Sequence, residues 1–277
     1  MPQTARLHYE LEGPEDAPVL VLANSLGTDL SMWEDQAPDL RQNFRLLRFN
    51  NRGHQGSEAP PGPYSIADLG SDLLALLDGL GIERFSFAGL SIGGMLGMWI
   101  ASEVPERVER LTLLCTSAKM DPQIWKARIQ TARESGTASM APTVVERWFT
   151  PAFREAAPET VERAQRMVAN TPDEGYAACC EAIRDMDLRD RLSGITTPTL
   201  IIAGEEDLAT PPEHAELIRD SIPGSEEDCT LALGEPHPAE VAVEHPALVV
   251  LAVAVADREV AFTTQAEPRT VGVLATE

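Results

Sequence analysis

The residues best suited to chemistry lie in a short glycine-rich segment, residues 89–93, which reads G-L-S-I-G. The segment follows an apolar run that reads R-F-S-F-A and precedes a helical pattern that reads I-G-G-M-L-G-M-W-I-A. A G-x-S-x-G run between a strand and a helix is typical of a nucleophile elbow, whose sharp turn projects the serine hydroxyl above the sheet. Ser91 is therefore the predicted nucleophile. The alternative is an inert serine in a glycine-rich turn.

A serine hydroxyl attacks a carbonyl carbon when a base takes its proton, and that base needs an acid to orient it. Beyond a nucleophile elbow, the acid and then the base follow in chain order, on loops after later strands. Asp207 lies just past the apolar run 199–203, so we predict that it is the acid. Three other carboxylates remain as alternatives, namely Glu205, Glu206 and Asp121.

The base is expected to be a histidine, and the chain holds five of them. His237 follows the last predicted strand after a short loop, where the base belongs, so we favour it over His245, which begins a terminal apolar segment. The other three occupy less suitable places. His8 lies on the first predicted strand, His54 in an early loop, and His214 in the first turn of a helix, where we expect it to be solvated.

A tetrahedral intermediate needs two backbone N–H donors aimed at its oxygen. One donor should be Ile92, the residue after the nucleophile, and the other should come from the loop after the apolar run 19–23. That loop reads N-S-L-G over residues 24–27, and Leu26 is the predicted donor in it. The alternative is a plain Asn-Ser turn.

A scaffold of short buried strands that alternate with helices is needed to bring these residues together. Helical patterns cover residues 66–80, with Ser65 as the cap, and residues 92–103. The alternation predicts an α/β fold with a mostly parallel central sheet and helices on both faces. The predicted strands are residues 6–11, 19–23, 45–49, 84–88, 111–115, 199–203 and 230–233.

Residues 121–191 interrupt this alternation, because they hold helical segments and punctuating prolines but no convincing strand. We interpret them as a helical lid inserted between two strands. The predicted organisation is a core in two parts, residues 1–120 and 191–256, with a lid over residues 121–190 and a C-terminal tail over residues 257–277.

The composition limits partners and compartment. Twenty-two Lys and Arg against 44 Asp and Glu give a net charge of −22, and such a surface repels phosphate backbones and anionic lipid. We therefore expect no nucleic-acid or membrane partner.

The cysteines lack metal-ligand spacing and residues 1–10 lack a leader pattern, so a cytoplasmic protein without a bound metal is predicted. The cysteines are Cys115, Cys179, Cys180 and Cys229, of which we expect the adjacent pair to be packed rather than redox-active.

Six stretches carry a resemblance to a known family: residues 24–33 (NSLGTDLSMW), 52–54 (RGH), 61–66 (PGPYSI), 89–94 (GLSIGG), 147–151 (RWFTP) and 175–180 (GYAACC). With them the chain resembles the α/β-hydrolase superfamily and, within it, the 3-oxoadipate enol-lactonases of aromatic breakdown. The likeness covers about residues 1–246. The sequence departs from that pattern at Asn50, at Gln55 and in the segment 237–246.

The resemblance implies hydrolysis of a five-membered enol-lactone that bears an acetate side chain, giving 3-oxoadipate through an acyl-enzyme and without a cofactor. That substrate is an anion, so a local cation must bind its carboxylate in this acidic protein. From the five cations in or beside the predicted lid we select Arg128 and Arg147, with Trp125 and Trp148 as pocket walls. The five are Lys119, Lys126, Arg128, Arg133 and Arg147.

Two other functions stay open. A general carboxylesterase, or a perhydrolase that forms peracids, would use the same triad and differ only in pocket shape and lid cation. The second alternative is a hydrolase scaffold that binds a small ligand without turnover. The altered segment around His237 suggests this alternative. The sequence does not indicate an oligomeric state.

Overall fold

The computed structural model describes residues 4–223 and 230–233, which contain a seven-stranded sheet. The strand order is β1-β3-β2-β4-β5-β6-β7, and only β1 runs antiparallel to its neighbour. The predicted α/β fold with a mostly parallel sheet is confirmed. The strands are Tyr9–Glu12 (β1), Val19–Ala23 (β2), Arg45–Phe49 (β3), Phe85–Leu90 (β4), Val108–Leu114 (β5), Thr199–Gly204 (β6) and Thr230–Leu233 (β7).

Helices cover the sheet. Two short 3-10 turns, Leu30–Trp33 and Pro105–Arg107, lie in connections between strands and helices. Within residues 4–223 and 230–233, no helix combines the length and apolar character needed to cross a bilayer. The helices are Ala37–Leu40 (α1), Ile66–Gly79 (α2), Ile92–Glu103 (α3), Pro122–Ser135 (α4), Thr137–Glu146 (α5), Pro151–Ala156 (α6), Pro158–Asn170 (α7), Asp173–Asp185 (α8), Arg189–Leu192 (α9) and Pro212–Ser221 (α10).

The two helices predicted from periodicity have different surroundings. In α2, a capping box between Ser65 and Asp68 starts the helix, and Leu73 and Leu77 of its apolar stripe are fully buried. Helix α3 has no such stripe, because every residue from Ile92 to Ala101 is buried. A helix that is buried on all sides lies at the centre of the molecule. The predicted nucleophile, Ser91, immediately precedes this helix.

Helices α4 to α8 lie between β5 and β6, and no strand interrupts residues 121–191. Helices α4 and α8 pack together, and Arg133 on α4 pairs with Glu174 and Glu181 on α8. Cys179 and Cys180 are free and fully buried in α8, so the adjacent cysteines are packing residues, as expected. Cys229 lies outside the described residues.

A buried ion pair ties the loop after β3 to α2. Arg52 Nε lies 2.5 Å from Asp72 Oδ2, and the Asp72 side chain is fully shielded from solvent. The other carboxylate oxygen accepts hydrogen bonds from Arg52 Nη2 at 2.6 Å and from the Ala5 amide at 2.7 Å. The loop and the start of the chain thus depend on one carboxylate.

We expect Asp72→Ala to lower the free energy of unfolding by about 3–5 kcal/mol, because it leaves the Arg52 charge buried without its partner. Urea denaturation followed by circular dichroism measures this change. The matched control is Asp78→Ala on the same helix, which removes an ion pair with Arg107. Because Asp78 is largely exposed, its loss should cost less than about 1 kcal/mol, and equal losses in both variants would contradict the prediction.

Candidate active site

Ser91 lies at the sharp turn between β4 and α3. Its φ of 57° and ψ of −115° are a backbone conformation that L side chains rarely adopt. Two hydrogen bonds hold the turn against that strain: the Ser91 amide donates to Leu114 O at 2.9 Å, and Thr116 Oγ1 donates to Ser91 O at 2.7 Å. A Cβ at Gly93 would lie 2.3 Å from Ala23 O, so only glycine lets α3 approach β2 this closely.

The two predicted oxyanion donors are buried. Ile92 is the first residue of α3, and Leu26 lies in the loop after β2. Among the described residues, neither amide has a hydrogen-bond acceptor. An unpaired N–H at a helix N-terminus favours negative charge beside it, so the Ile92 amide suits a developing oxyanion.

The predicted acid, Asp207, lies on the loop after β6 and is half-buried. Its Oδ1 accepts hydrogen bonds from the amides of Ala209 and Thr210, at 2.7 and 2.9 Å. Its Oδ2 accepts one from Thr210 Oγ1 at 2.8 Å. These bonds fix the orientation of the carboxylate, which an orienting acid requires.

The alternative acids differ in their surroundings. Glu205 and Glu206 are exposed on the same loop as Asp207 and line the same cavity. Asp121 accepts a hydrogen bond from the Gln123 amide at 2.9 Å and serves as the N-cap of α4. Asp121 is therefore engaged in a structural role away from the cavity.

Cys115 lies at the end of β5 and lines the cavity together with Ser91. Burial raises the pKa of the Cys115 thiol to about 12, and the negative charge of Asp207 adds to the rise. The thiol is protonated near neutral pH, so Cys115 does not compete with Ser91 as a nucleophile.

His237 and His245, the two candidate bases, lie outside the described residues, as does the predicted tail. Of the other histidines, His8 is exposed, whereas His54 is fully buried. His214 lies in the first turn of α10, but the expectation that it is solvated is wrong. Its Nδ1 is 2.6 Å from Ser117 Oγ, so the side chain is half-buried against the loop after β5.

One cavity of about 750 Å³ brings Ser91 and Asp207 together with two of the predicted binding residues, Arg147 and Trp148. Apolar side chains form much of its wall, including a stacked pair of rings, Phe149 and Phe153, with centroids 4.9 Å apart. The RWFTP stretch thus supplies residues that the sequence argument did not select. Further lining residues are Met32, Trp33, Leu90, Ala157, Ala164 and Met167.

The structure does not bring Trp125 and Arg128 to this cavity. The Arg128 guanidinium lies 5.0 Å from the Trp125 ring centroid and 5.5 Å from that of Tyr176. Its Nε donates a hydrogen bond to Tyr176 Oη at 2.7 Å. Since Tyr176 is fully buried, this stack belongs to the interior of the inserted helices.

Three arginines of the described residues line the cavity, and only one of them, Arg147, was among the lid cations selected from the sequence. Arg154 pairs with Glu146 at 2.7 Å, and Arg163 pairs with Asp35 at 2.6 Å. Arg147 instead donates from Nη2 to the carbonyl of Leu208, on the loop of Asp207, at 2.6 Å. Among the described cavity-lining arginines, Arg147 alone has no carboxylate partner.

Comparison with known proteins gives a consistent result. The model of the alpha/beta hydrolase fold matches residues 18–235. 3-Oxoadipate enol-lactonase 2 of Acinetobacter baylyi is 43% identical over 75% of this chain and 78% of its own length, and enol-lactonase 1 of that organism is 34% identical over 79% and 83%. The crystal structure of the enol-lactonase from Burkholderia xenovorans LB400 has a TM-score of 0.82 at 39% identity, over 91% of this chain and 95% of that one. On the sequence match as well as the architecture, this chain belongs to the α/β-hydrolase family.

Proposed function

We propose that this hydrolase opens a small enol-lactone that carries a carboxylate, of the 3-oxoadipate enol-lactone type. The observation that carries the proposal is the shared cavity, which holds the strained Ser91, the fixed carboxylate of Asp207 and Arg147, which has no carboxylate partner among the described residues. The names of the relatives at 43% and 39% identity support the choice of substrate.

In the proposed reaction, Ser91 Oγ attacks the lactone carbonyl while His237 takes its proton. The Leu26 and Ile92 amides donate to the oxyanion that forms. Collapse of this intermediate breaks the bond between the carbonyl carbon and the ring oxygen, and this oxygen takes the proton from His237 and leaves as an enol, which tautomerises to a ketone. The product stays attached as an acyl-enzyme, until water activated by His237, which Asp207 orients, hydrolyses it.

Arg147 is the proposed partner of the substrate carboxylate. The net charge of −22 repels an anion at long range, so binding depends on a local charge-assisted hydrogen bond. Arg154 and Arg163 are already paired with carboxylates. Within the described part of the chain, the charge of Arg147 is therefore the least neutralised of the three and the best placed to attract an anion. Trp148, the next residue, provides an apolar wall for the ring.

We expect Arg147→Gln to raise KM for the enol-lactone about 10- to 100-fold, because a hydrogen bond to a charged group contributes about 1.5–3 kcal/mol. KM for neutral p-nitrophenyl acetate should stay within about two-fold. Arg166→Gln is the matched control, since Arg166 lies on the exposed face of α7, and it should change neither value. An equal rise for both substrates would show that Arg147 does not read the carboxylate.

Hydrolysis of larger neutral esters is the second candidate function, and the size of the cavity favours it. A volume of about 750 Å³ with an apolar wall suits a drug-sized ligand, which is several times larger than the enol-lactone. Values of kcat/KM for the enol-lactone and for p-nitrophenyl acetate, butyrate and octanoate separate the two functions. The lactonase proposal requires the enol-lactone to be the best substrate. It fails if turnover rises with acyl length and exceeds that of the lactone.

A further inference from the structure

The loop after β2 carries the Leu26 amide, and a buried histidine from another loop contacts its next residue. We propose that His54 is a positioning residue for the oxyanion hole: its imidazole holds the Gly27 amide and thereby fixes the orientation of the neighbouring Leu26 N–H. This inference rests on the proposed function, because it needs Leu26 as an oxyanion donor.

The hydrogen bonds of His54 define its tautomer. The Gly27 amide donates to Nε2 at 2.9 Å, so Nε2 is the acceptor. Nδ1 lies 3.3 Å from the carbonyl of Arg52 and carries the proton that faces it. The imidazole thus bridges the two loops in one orientation, with each ring nitrogen committed to a backbone group.

Gly27 has little freedom on its other side. Its φ is +77°, and a Cβ there would lie 2.9 Å from the Tyr176 ring. Tyr176 is itself held by Arg128, which donates to its hydroxyl at 2.7 Å. The turn is therefore confined between His54 and the inserted helices. Displacement of the Gly27 amide would break the bond to His54 and shift the Leu26 Cα, which joins that peptide to the one carrying the Leu26 N–H.

A separate set of bonds holds both ends of the loop. Asn24 Nδ2 donates to Phe49 O at 2.8 Å, and Asn24 Oδ1 accepts from Trp33 Nε1 at 2.8 Å. Asn50 Oδ1 accepts from the Leu30 amide at 2.6 Å, while its Nδ2 donates to Gln55 O at 2.7 Å. That last bond needs an amide N–H, which a carboxylate at position 50 could not donate. Because these anchors do not involve His54, its replacement should loosen the middle of the loop without unfolding it.

The charge of His54 fits this role. Burial lowers the pKa of the imidazole to about 4, although the Arg52 carbonyl and the charge of Asp29 both act to raise it. His54 is thus neutral near pH 7, with a free lone pair on Nε2. Protonation would place two N–H groups face to face at Gly27.

Two variants test the proposal. His54→Leu removes the acceptor, and His54→Gln keeps an oxygen near the place of Nε2. We expect His54→Leu to lower kcat about 10- to 100-fold with KM within two-fold, and His54→Gln to recover kcat to within about five-fold of the unaltered enzyme. Affinity for phenylboronic acid, which forms a tetrahedral adduct with an active serine, should fall in parallel with kcat.

A merely structural role for His54 would give a different result. Ile82→Val, a core substitution just beyond the C-terminal end of α2, should lower the melting temperature but leave kcat and boronate affinity unchanged. The proposal is wrong if His54→Leu keeps kcat within two-fold, or if His54→Gln loses as much as His54→Leu. All rates are also measured with p-nitrophenyl acetate. Cleavage of this ester without cleavage of the lactone would refute the proposed substrate and leave the His54 test intact.

Discussion

Replacement of Ser91 by alanine is expected to lower kcat for the enol-lactone at least about 10⁴-fold, with the melting temperature unchanged or higher. The expectation follows from the role of the hydroxyl, because no acyl-enzyme forms without it and only the oxyanion donors and substrate binding remain. Decay of the ring absorbance measures turnover. In the same sample, a phosphonate probe labels an activated serine and should label the unaltered enzyme alone.

Ser102→Ala is the matched control, since Ser102 lies on the same helix, where its hydroxyl donates to the Trp99 carbonyl. It should keep kcat within about two-fold. Turnover of the lactone by Ser91→Ala at the unaltered rate would rule out the whole catalytic proposal. An unaltered protein that takes up no phosphonate would instead favour the scaffold that binds a ligand without turnover.

Asp207→Asn should lower kcat about 10³- to 10⁴-fold with little change in KM. The amide keeps the size of the side chain and can still accept from the Ala209 and Thr210 amides through one oxygen. It lacks the negative charge that orients the base and stabilises its protonated form. Activity should therefore fall through a lower kcat rather than a higher KM. Stopped-flow measurement of the rate of acylation tests this directly.

Glu206→Gln is the control for this second variant. Glu206 lies one residue away, lines the same cavity and is exposed. It should change kcat less than about three-fold. If the effects are reversed, the acid is on Glu206, which the sequence argument kept as an alternative.

Much of the scaffold is predictable from the sequence. The bounds of Val19–Ala23, Arg45–Phe49 and Thr230–Leu233 match the predicted runs, because short buried strands between turn residues have clear ends. The strand at Arg6–Leu11 was predicted too early in the chain, and Tyr9–Glu12 is the paired segment. Edge strands are set by which residues meet a partner, which local alternation does not reveal.

Candidate site residues can be selected from the sequence where local geometry defines them, and less readily where helices pack together. A G-x-S-x-G turn carries its own strain, so Ser91 could be selected without any partner. Among the helices between β5 and β6, it is α5, α6 and α7 that supply the cavity wall, whereas α4 and α8 pack against each other. Arg128 stacks on Tyr176, 48 residues later, and no spacing in the sequence indicates that contact.

The contact between His54 and Gly27 could not be predicted from the sequence for the same reason. The acceptor role of His54 depends on Gly27, which lies 27 residues earlier in the chain. An RGH stretch between strands indicates a turn but not which backbone group the imidazole contacts. The hydrogen bond between Gly27 and His54 becomes evident only when the loops after β2 and β3 are packed side by side.

The left-handed backbone at position 91 carries an evolutionary cost. A non-glycine residue held there gives up about 1–3 kcal/mol of folding free energy, which glycine would recover. Selection for robustness alone would thus replace the serine, and its persistence in this chain would mark a lineage in which turnover outweighs durability. Glycine at this position in a related sequence would therefore indicate that catalysis had been lost there.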